Sequence, residues 1–370
     1  MDGQTNRTYR IELRPLEPYF FGGEHTLKYD GVNYAGKYQR DGGQNQRAMG
    51  YYIESLDTPS QTTLFGVLRY LGLRNPTPEY DPSAEDKRRI GGASFNISTP
   101  GGGFGWITGI SPLYIMDGTG ALYIKTPLDH DCGASASKYS PFADEDYMSY
   151  ETSAGRRVFP KAYQEKRGVA DTWMCMCCGA FADKDLFTED ESVGIAKAAD
   201  TDGFFKRKSK ILKKDCAFVF YATVDKDYWD SEPPLSTTVW LGQKKSAFSA
   251  KITGADEPDF QTVLLKPRIA YAQSDLYLSD DKTLDTLYEQ CEFVCVKAKE
   301  HRPFETKYGK AAQSARYHRD ERLIRLIGAG SVFRLADKER TETFRGIIEG
   351  DRHAAAAGFN RVQYGKDWMK

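Results

Sequence analysis

The sequence lacks a charge bias. Its 370 residues carry 51 Lys and Arg against 52 Asp and Glu, a formal net charge of −1. That excludes a uniformly basic nucleic-acid binder, so any anion-binding surface has to be a local concentration offset elsewhere. It also lacks an unbroken apolar run of the ~18 residues that a membrane helix needs. The opening MDGQTNRTYR has no apolar core of a secretory signal. Histidine is scarce: His25, His130, His301, His318 and His353 are all there is, and none sits in a metalloprotease helix motif. No serine occupies a nucleophile elbow. The seven cysteines are odd in number and three crowd into one short run, which fits reduced thiols better than a disulfide framework. These absences point to a cytoplasmic protein with no membrane partner.

What is present reads as a mixed α+β chain, long enough at 370 residues for two domains. TYRIELRPL (8–16) alternates with the two-residue period of a half-buried strand. In SQTTLFGVLRYLGL (60–73), Leu64, Val67, Leu68 and Leu71 form an apolar stripe, with Ser60 as N-cap and Gly72 at the end, which predicts a helix. Residues 28–50 and 74–105 read as loops. Two strand-like runs in 106–129 join across DGTG as a hairpin. Residues 130–190 have no steady period and read as an insertion. Beyond it, 202–212 with 216–225 reads as one hairpin and 237–252 as a strand pair. Residues 259–272 read as strand or short helix, 327–337 as a strand entered through a glycine turn, 336–350 as a helix, and 357–365 as a closing glycine-rich segment. The expected division is an N-terminal module over 1–190, including the insertion, and a C-terminal module over 191–370.

Several motifs bear on chemistry. PGGGFGWITG (100–109) has glycines but neither the lysine nor the hydroxyl of a phosphate loop, and it precedes a strand; it reads as a plain glycine loop. In WMCMCCGAF (173–181), Cys175 and Cys178 have the spacing of half a zinc knuckle, and His130 and Cys132 would complete four ligands. Cys177 crowds that pair, and Cys291 and Cys295 are too far apart to form a second one, so a buried thiol-rich strand is the alternative and no cofactor is expected. His25, beside the glycines that end RPLEPYFFGG, is the one candidate base for RNA cleavage; a packing or solvent-facing histidine is the alternative. The basic run KRKSKILKK (206–214) follows Phe204 and Phe205, and 297–325 is rich in Lys and Arg interleaved with Phe304, Tyr308 and Tyr317. Such clusters bind phosphates by charge while aromatics stack unpaired bases, although a charge run is as often a solvated face.

The order of motifs resembles the RAMP superfamily of CRISPR effector proteins, and within it the third-subunit family of the type III-B (Cmr) complex. The resemblance rests on Pro15, Leu16, Pro18, Phe20 and Phe21 after the first strand, and on Pro59 with Gly66, Val67, Leu68 and Arg69 in the helix. It continues through Leu122, Tyr123, Pro127 and Asp129, then Val193, Gly194 and Ile195, then Trp240, Leu241 and Gly242. It ends on Ala329 to Val332 and on Gly358, Phe359 and Asn360.

The resemblance implies two ferredoxin-like, RRM-type modules with glycine-rich loops, and no catalysis by this subunit. It implies a scaffold that caps the guide RNA (crRNA) and grips its 5′ repeat-derived tag. The partners implied are the large polymerase-like subunit, the backbone RAMP subunit and other Cmr proteins. The candidate RNA-binding residues are Phe21, Gly22, Gly23, Lys28, Arg40, Arg47, Arg69, Lys206, Arg207, Lys208, Lys210, Lys244, Lys245, Gly328, Gly330, Ser331, Gly358, Asn360 and Arg361. Family members commonly carry arginine after the Phe-Phe pair, whereas this chain has Gly22, Gly23 and Glu24, so amide-mediated contact is expected there instead of a charge clamp. Gln243 likewise replaces a usual glycine. Two other readings stand beside the scaffold: a RAMP-type endoribonuclease processing precursor crRNA, and a protein-only assembly adaptor.

Overall fold

The alternating TYRIELRPL forms β1 (Asn6–Pro15) in the computed structural model. The structure describes residues 6–22, 25–26, 51–73, 82–91, 103–129, 138–142, 144–153, 155–161, 172–182, 185–198, 201–229, 236–242, 245–260, 265–301 and 324–365. After β1 come the short strands β2 (His25–Thr26) and β3 (Tyr51–Glu54). Helix α1 (Gln61–Leu71) starts where the Ser60 hydroxyl accepts from the Thr63 amide, and it buries Leu64, Val67, Leu68 and Leu71 as their spacing requires. The stretch read as a loop over 74–105 holds a second helix, α2 (Ala84–Ile90), opened by a Ser83–Asp86 capping box.

Strands β4 (Ile107–Ile110), β5 (Tyr114–Met116) and β6 (Leu122–Lys125) follow, and β5–β6 is the hairpin expected across DGTG. Asp117 fixes that turn by accepting from the Thr119 and Ala121 amides. The 130–190 region contains the hairpin β7 (Tyr147–Thr152) and β8 (Gly155–Pro160), then β9 (Trp173–Cys175). Next are β10 (Phe187–Ala198), β11 (Thr201–Leu212), β12 (Ala217–Asp225), β13 (Ser236–Leu241) and β14 (Ser246–Gly254). The last part runs β15 (Ile269–Ala272), β16 (Leu276–Tyr277), α3 (Asp281–Glu289), β17 (Cys291–Cys295), β18 (Ala298–His301), β19 (Ile324–Ile327), β20 (Val332–Leu335), α4 (Lys338–Glu349), α5 (Arg352–Ala356) and β21 (Val362–Tyr364).

One expectation changes. The hairpin partner of β11 is β10, not β12, in a register running from Phe187↔Leu212 to Ala198↔Thr201. The reason lies in β12: AFVFYATVD is apolar on both faces, so it belongs at a sheet centre, where it pairs with β1, β4 and β5. The expected boundary at 190/191 falls within β10, and the sheet begun by β1 takes in β12 and β14 and so reaches Gly254.

That sheet runs β13-β14-β1-β12-β5-β6-β9, with β4 also on β12. Residues from 269 onward make a second sheet in the order β17-β20-β15-β21, all antiparallel, with α3 between its first two strands in sequence and α4 between its last two. The two sheets share a core. On one face of β12, Phe218, Phe220, Ala222 and Val224 pack with the α1 stripe. On the other face, Ala217, Val219 and Tyr221 meet Ile269, Tyr271 and Val332 of the second sheet. The opposite face of that sheet, Ala270, Ala272 and Phe333, packs with Leu287, Phe344 and Ile348 from α3 and α4. No described helix is long and apolar enough to cross a membrane.

Candidate nucleic-acid interface

Pro15 ends β1, and the loop behind it is held on three sides. Tyr19 and Lys210 exchange two backbone hydrogen bonds of 2.9 Å each, which clips the loop to β11. The Phe21 amide donates to the Ser55 hydroxyl at 2.8 Å, and its carbonyl accepts from the Leu56 amide at 2.9 Å. The rings of Tyr19 and Phe21 enter the core beside Phe218 and Phe248, with Tyr19 and Phe21 centroids 4.8 Å apart. On the third side lies the β13–β14 turn. Gly242 has φ +75°, and a Cβ there would lie 2.3 Å from the Phe20 carbonyl oxygen, so only glycine lets the turn close on the loop. Gly22 emerges exposed beyond these clips.

The structure therefore gathers Phe20, Phe21, Gly22, the 206–210 run and the Gly242–Lys245 turn in one place. Strands β2 and β3 pair beside them, β3 running parallel to β11. Between those two strands lies the segment carrying Lys28, Arg40 and Arg47; these three, with Gly23 and Lys244, fall outside the described residues. Of His25 the backbone is placed, paired with Ile53. Lys245 is exposed, in the left-handed region at φ 53°.

The charges of the basic run are largely answered from within. Lys206 pairs with Glu191 at 2.6 Å and Lys208 with Glu189 at 2.7 Å. Lys210, buried, has Glu54, Asp57 and Glu189 each at 3.2 Å. The Arg207 guanidinium lies 5.7 Å above the Phe20 ring centroid. Hydrogen bonds from Lys208 and then Lys210 hold the Glu189 carboxyl down at about 2. Burial alone would depress the Lys210 ammonium, but Asp57, Glu189 and Glu54 leave it raised. KRKSK is the cross-strand complement of the acidic run Glu189–Asp190–Glu191, which the sequence displays in plain sight.

The remaining candidates lie elsewhere and are engaged in holding the fold. Arg69 is 2% exposed, and its Nε donates to the Ile90 carbonyl at 2.9 Å, latching α1 to α2. In the 328–331 turn every amide is used. Gly328 donates to the Lys297 carbonyl, Ala329 to Asp275 Oδ1, Gly330 to the Ala272 carbonyl and Ser331 to the Gly328 carbonyl. The Gly330 carbonyl accepts from Leu128, tying the second sheet to the first. A Cβ on Gly358, at φ +85°, would lie 2.0 Å from Gln61 Nε2, so this glycine lets α1 meet the C-terminal segment. Asn360 is buried, accepting from the Tyr277 amide and donating to the Tyr277 and Ile348 carbonyls. Arg361 reaches Glu257 at 3.4 Å. Two of these contacts cross between the parts of the chain that carry the two sheets, Leu128 to the Gly330 carbonyl and Gly358 against Gln61; the other hydrogen bonds of 328–331 and Asn360 stay within the C-terminal part.

The thiol-rich turn after β9 is tighter than the spacing alone implied. The sulfurs of Cys175, Cys177 and Cys178 all lie within 4.8 Å of one another, so Cys177 joins the pair it was expected to crowd. Hydrogen bonding to Cys175 pushes the Cys177 thiol up to about 12, whereas the Ala180 amide lowers that of Cys178. His130 and Cys132 lie outside the described residues.

No protein-family model matches the chain, and no curated protein matches it. Solved structures do. A chain of the type III-B Cmr-beta complex bound to cognate target RNA superposes with a TM-score of 0.51 at 13% identity, covering 96% of this chain and 96% of that one. A second structure of that complex, bound to cognate target RNA and AMPPnP in state 1, gives a TM-score of 0.50 at 12% identity, covering 98% and 97%. The likeness is one of fold. It runs end to end, so the two sheets and the elements between them form one shared architecture.

Proposed function

We propose that this chain is a non-catalytic, RNA-binding scaffold subunit of a type III, Cmr-type CRISPR effector complex, working in the cytoplasm. The observation that carries the reading is the fold match over 96% of both chains. Two ferredoxin-like modules account for the topology. The second sheet supports this directly: its strand–helix–strand–strand–helix–strand path, with the fourth strand beside the first, is the ferredoxin-like arrangement. In the first sheet β14, β1, β12 and β4/β5 stand in the same order, and the β13–β14 hairpin takes the place of a second crossover helix. The partners are the guide RNA, through its 5′ tag, the large polymerase-like subunit and the backbone RAMP subunit.

In this reading RNA is gripped by the loop cluster around Phe20–Gly22 and Gly242–Lys245. Single-stranded RNA favours exposed amides and cations that track its phosphates. Crosslinking from the first tag nucleotides of a guide RNA, in the assembled complex, tests it. Crosslinks are expected within 16–28 and 240–245. Crosslinks confined to 325–365 would overturn the placement. Metal-independent cleavage of repeat RNA by the purified chain, abolished by His25→Ala, would overturn the non-catalytic role.

A further inference from the structure

The turn that follows β9 is built like a metal knuckle. The Cys175 amide donates to the Ala180 carbonyl at 2.7 Å, and the Gly179 amide to the Cys175 carbonyl at 2.8 Å, so the chain folds back on itself around the three sulfurs. Gly179 takes φ +71°, the left-handed conformation that such a reversal needs. The Ala180 amide also donates to Cys178 Sγ. Cys175 is buried at the sheet edge, while Cys177 and Cys178 face solvent, so an ion has a way in.

We propose that Cys175, Cys177 and Cys178 form a thiolate site for a single zinc ion. Zinc–sulfur bonds of about 2.3 Å in tetrahedral geometry place sulfurs about 3.8 Å apart. The three sulfurs already lie within 4.8 Å of one another, and Cys175 and Cys177, at 2.9 Å, need only open slightly. On binding, three S–Zn bonds form and the thiol protons leave to solvent. The donor set is all sulfur, which selects zinc over magnesium or calcium. Solvent access leaves the fourth position to a further donor.

The ion would have a structural task. Strand β9 is the edge of the first sheet, and three contacts meet at its turn: Lys138 bridges Ala180, Tyr139 donates to the Gly179 carbonyl at 2.8 Å, and Met174 bridges Phe181. These segments carry little regular structure, the situation in which small units rely on a metal. Zinc at the turn would fasten the segment of Lys138 and Tyr139 to the edge of the sheet.

The test uses the reduced full-length chain with zinc alone and cobalt alone. Cobalt is expected to give thiolate-to-metal charge-transfer absorption at about one equivalent, displaced by zinc. The band should vanish in Cys175→Ser/Cys177→Ser/Cys178→Ser and persist in Cys216→Ser and Cys295→Ser. No band with the native chain, or an unchanged band in the triple variant, overturns the proposal. Should the triple variant not fold, alkylation mapping of the native chain decides. Zinc is expected to slow labelling of Cys177 and Cys178 at least tenfold, and chelation to restore it. Equal labelling with and without zinc, or a disulfide within the cluster under reducing conditions, overturns the site.

Discussion

Replacing Lys210 with methionine separates two roles for the basic run. The ammonium stands 3.2 Å from each of three carboxylates, Glu54, Asp57 and Glu189, and those side chains remain about two-fifths exposed (41–44%). Solvent screening at that exposure limits each pair to roughly 0.2–1 kcal/mol, so three pairs are worth about 1–2 kcal/mol. Methionine keeps most of the apolar stem but leaves three carboxylates facing one another. We expect Lys210→Met to lower stability at pH 7 by about 2 kcal/mol, a fall in Tm of roughly 2–4 °C for a chain of this size. The pH dependence has a definite sign. Glu189 is held at about 2, below its unfolded value near 4.3. Its stabilisation is therefore complete above about pH 4.3 and is lost as pH falls toward 2, so the gap between native and variant should narrow across that window. Thermal unfolding at pH 7, 4 and 2.5 measures it. RNA binding supplies the contrast: a phosphate contact on single-stranded RNA contributes about 0.7 to the salt slope, and Lys210→Met should leave that slope unchanged. An unaltered Tm with a slope reduced by about 0.7 would refute the reasoning, because the ammonium would then be serving phosphate and not its three neighbours.

Other substitutions probe the same division between holding and binding. Gly242→Ala places a Cβ 2.3 Å from the Phe20 carbonyl at φ +75°; a stability loss of about 2 kcal/mol by denaturant titration and weaker guide-RNA binding are expected together. Arg69→Met removes a buried donor to the Ile90 carbonyl, and should cost about 1–3 kcal/mol with RNA affinity unchanged per folded molecule. Ser83→Ala breaks the capping box that starts α2, and about 1 kcal/mol is expected in the same titration.

Much of the fold is legible where one face of an element is buried. The α1 stripe, the Ser60 cap and the DGTG hairpin obey local rules, and the structure keeps them. Pairing is less legible where a strand is apolar on both sides. Phe218 and Val219 both look inward-facing, because each faces a different core, so AFVFYATVD gives no alternation from which to read its neighbours. The short helix α2 is hidden by Gly and Pro on either side, although its Ser83–Asp86 cap is written in the letters. For the candidate interface, residue type singled out basic and glycine residues but not which charges were already matched. Lys206 and Glu191 are fifteen positions apart in sequence, and only the β10–β11 register brings them within 2.6 Å.

The buried sheet faces limit where RNA can bind. An RRM-type sheet reads RNA by stacking bases on aromatics of its open face. Here the inward faces of β12 and β15 are pressed together, with Tyr221, Tyr271 and Val332 in one shared core. The opposite face of each is covered by α1 or by α3 and α4. Neither central strand keeps a platform for bases. The amides of the turns at 328–331 and 358–360 are bonded within the C-terminal part of the chain, and the Gly330 carbonyl accepts from the Leu128 amide. An RNA-binding role on this scaffold therefore has to be carried by what projects from it. Among the described residues, that role falls in the proposed reading to Gly22, exposed just beyond the clipped Tyr19–Phe21 backbone, and to the Gly242–Lys245 turn that only a glycine allows to lie against Phe20.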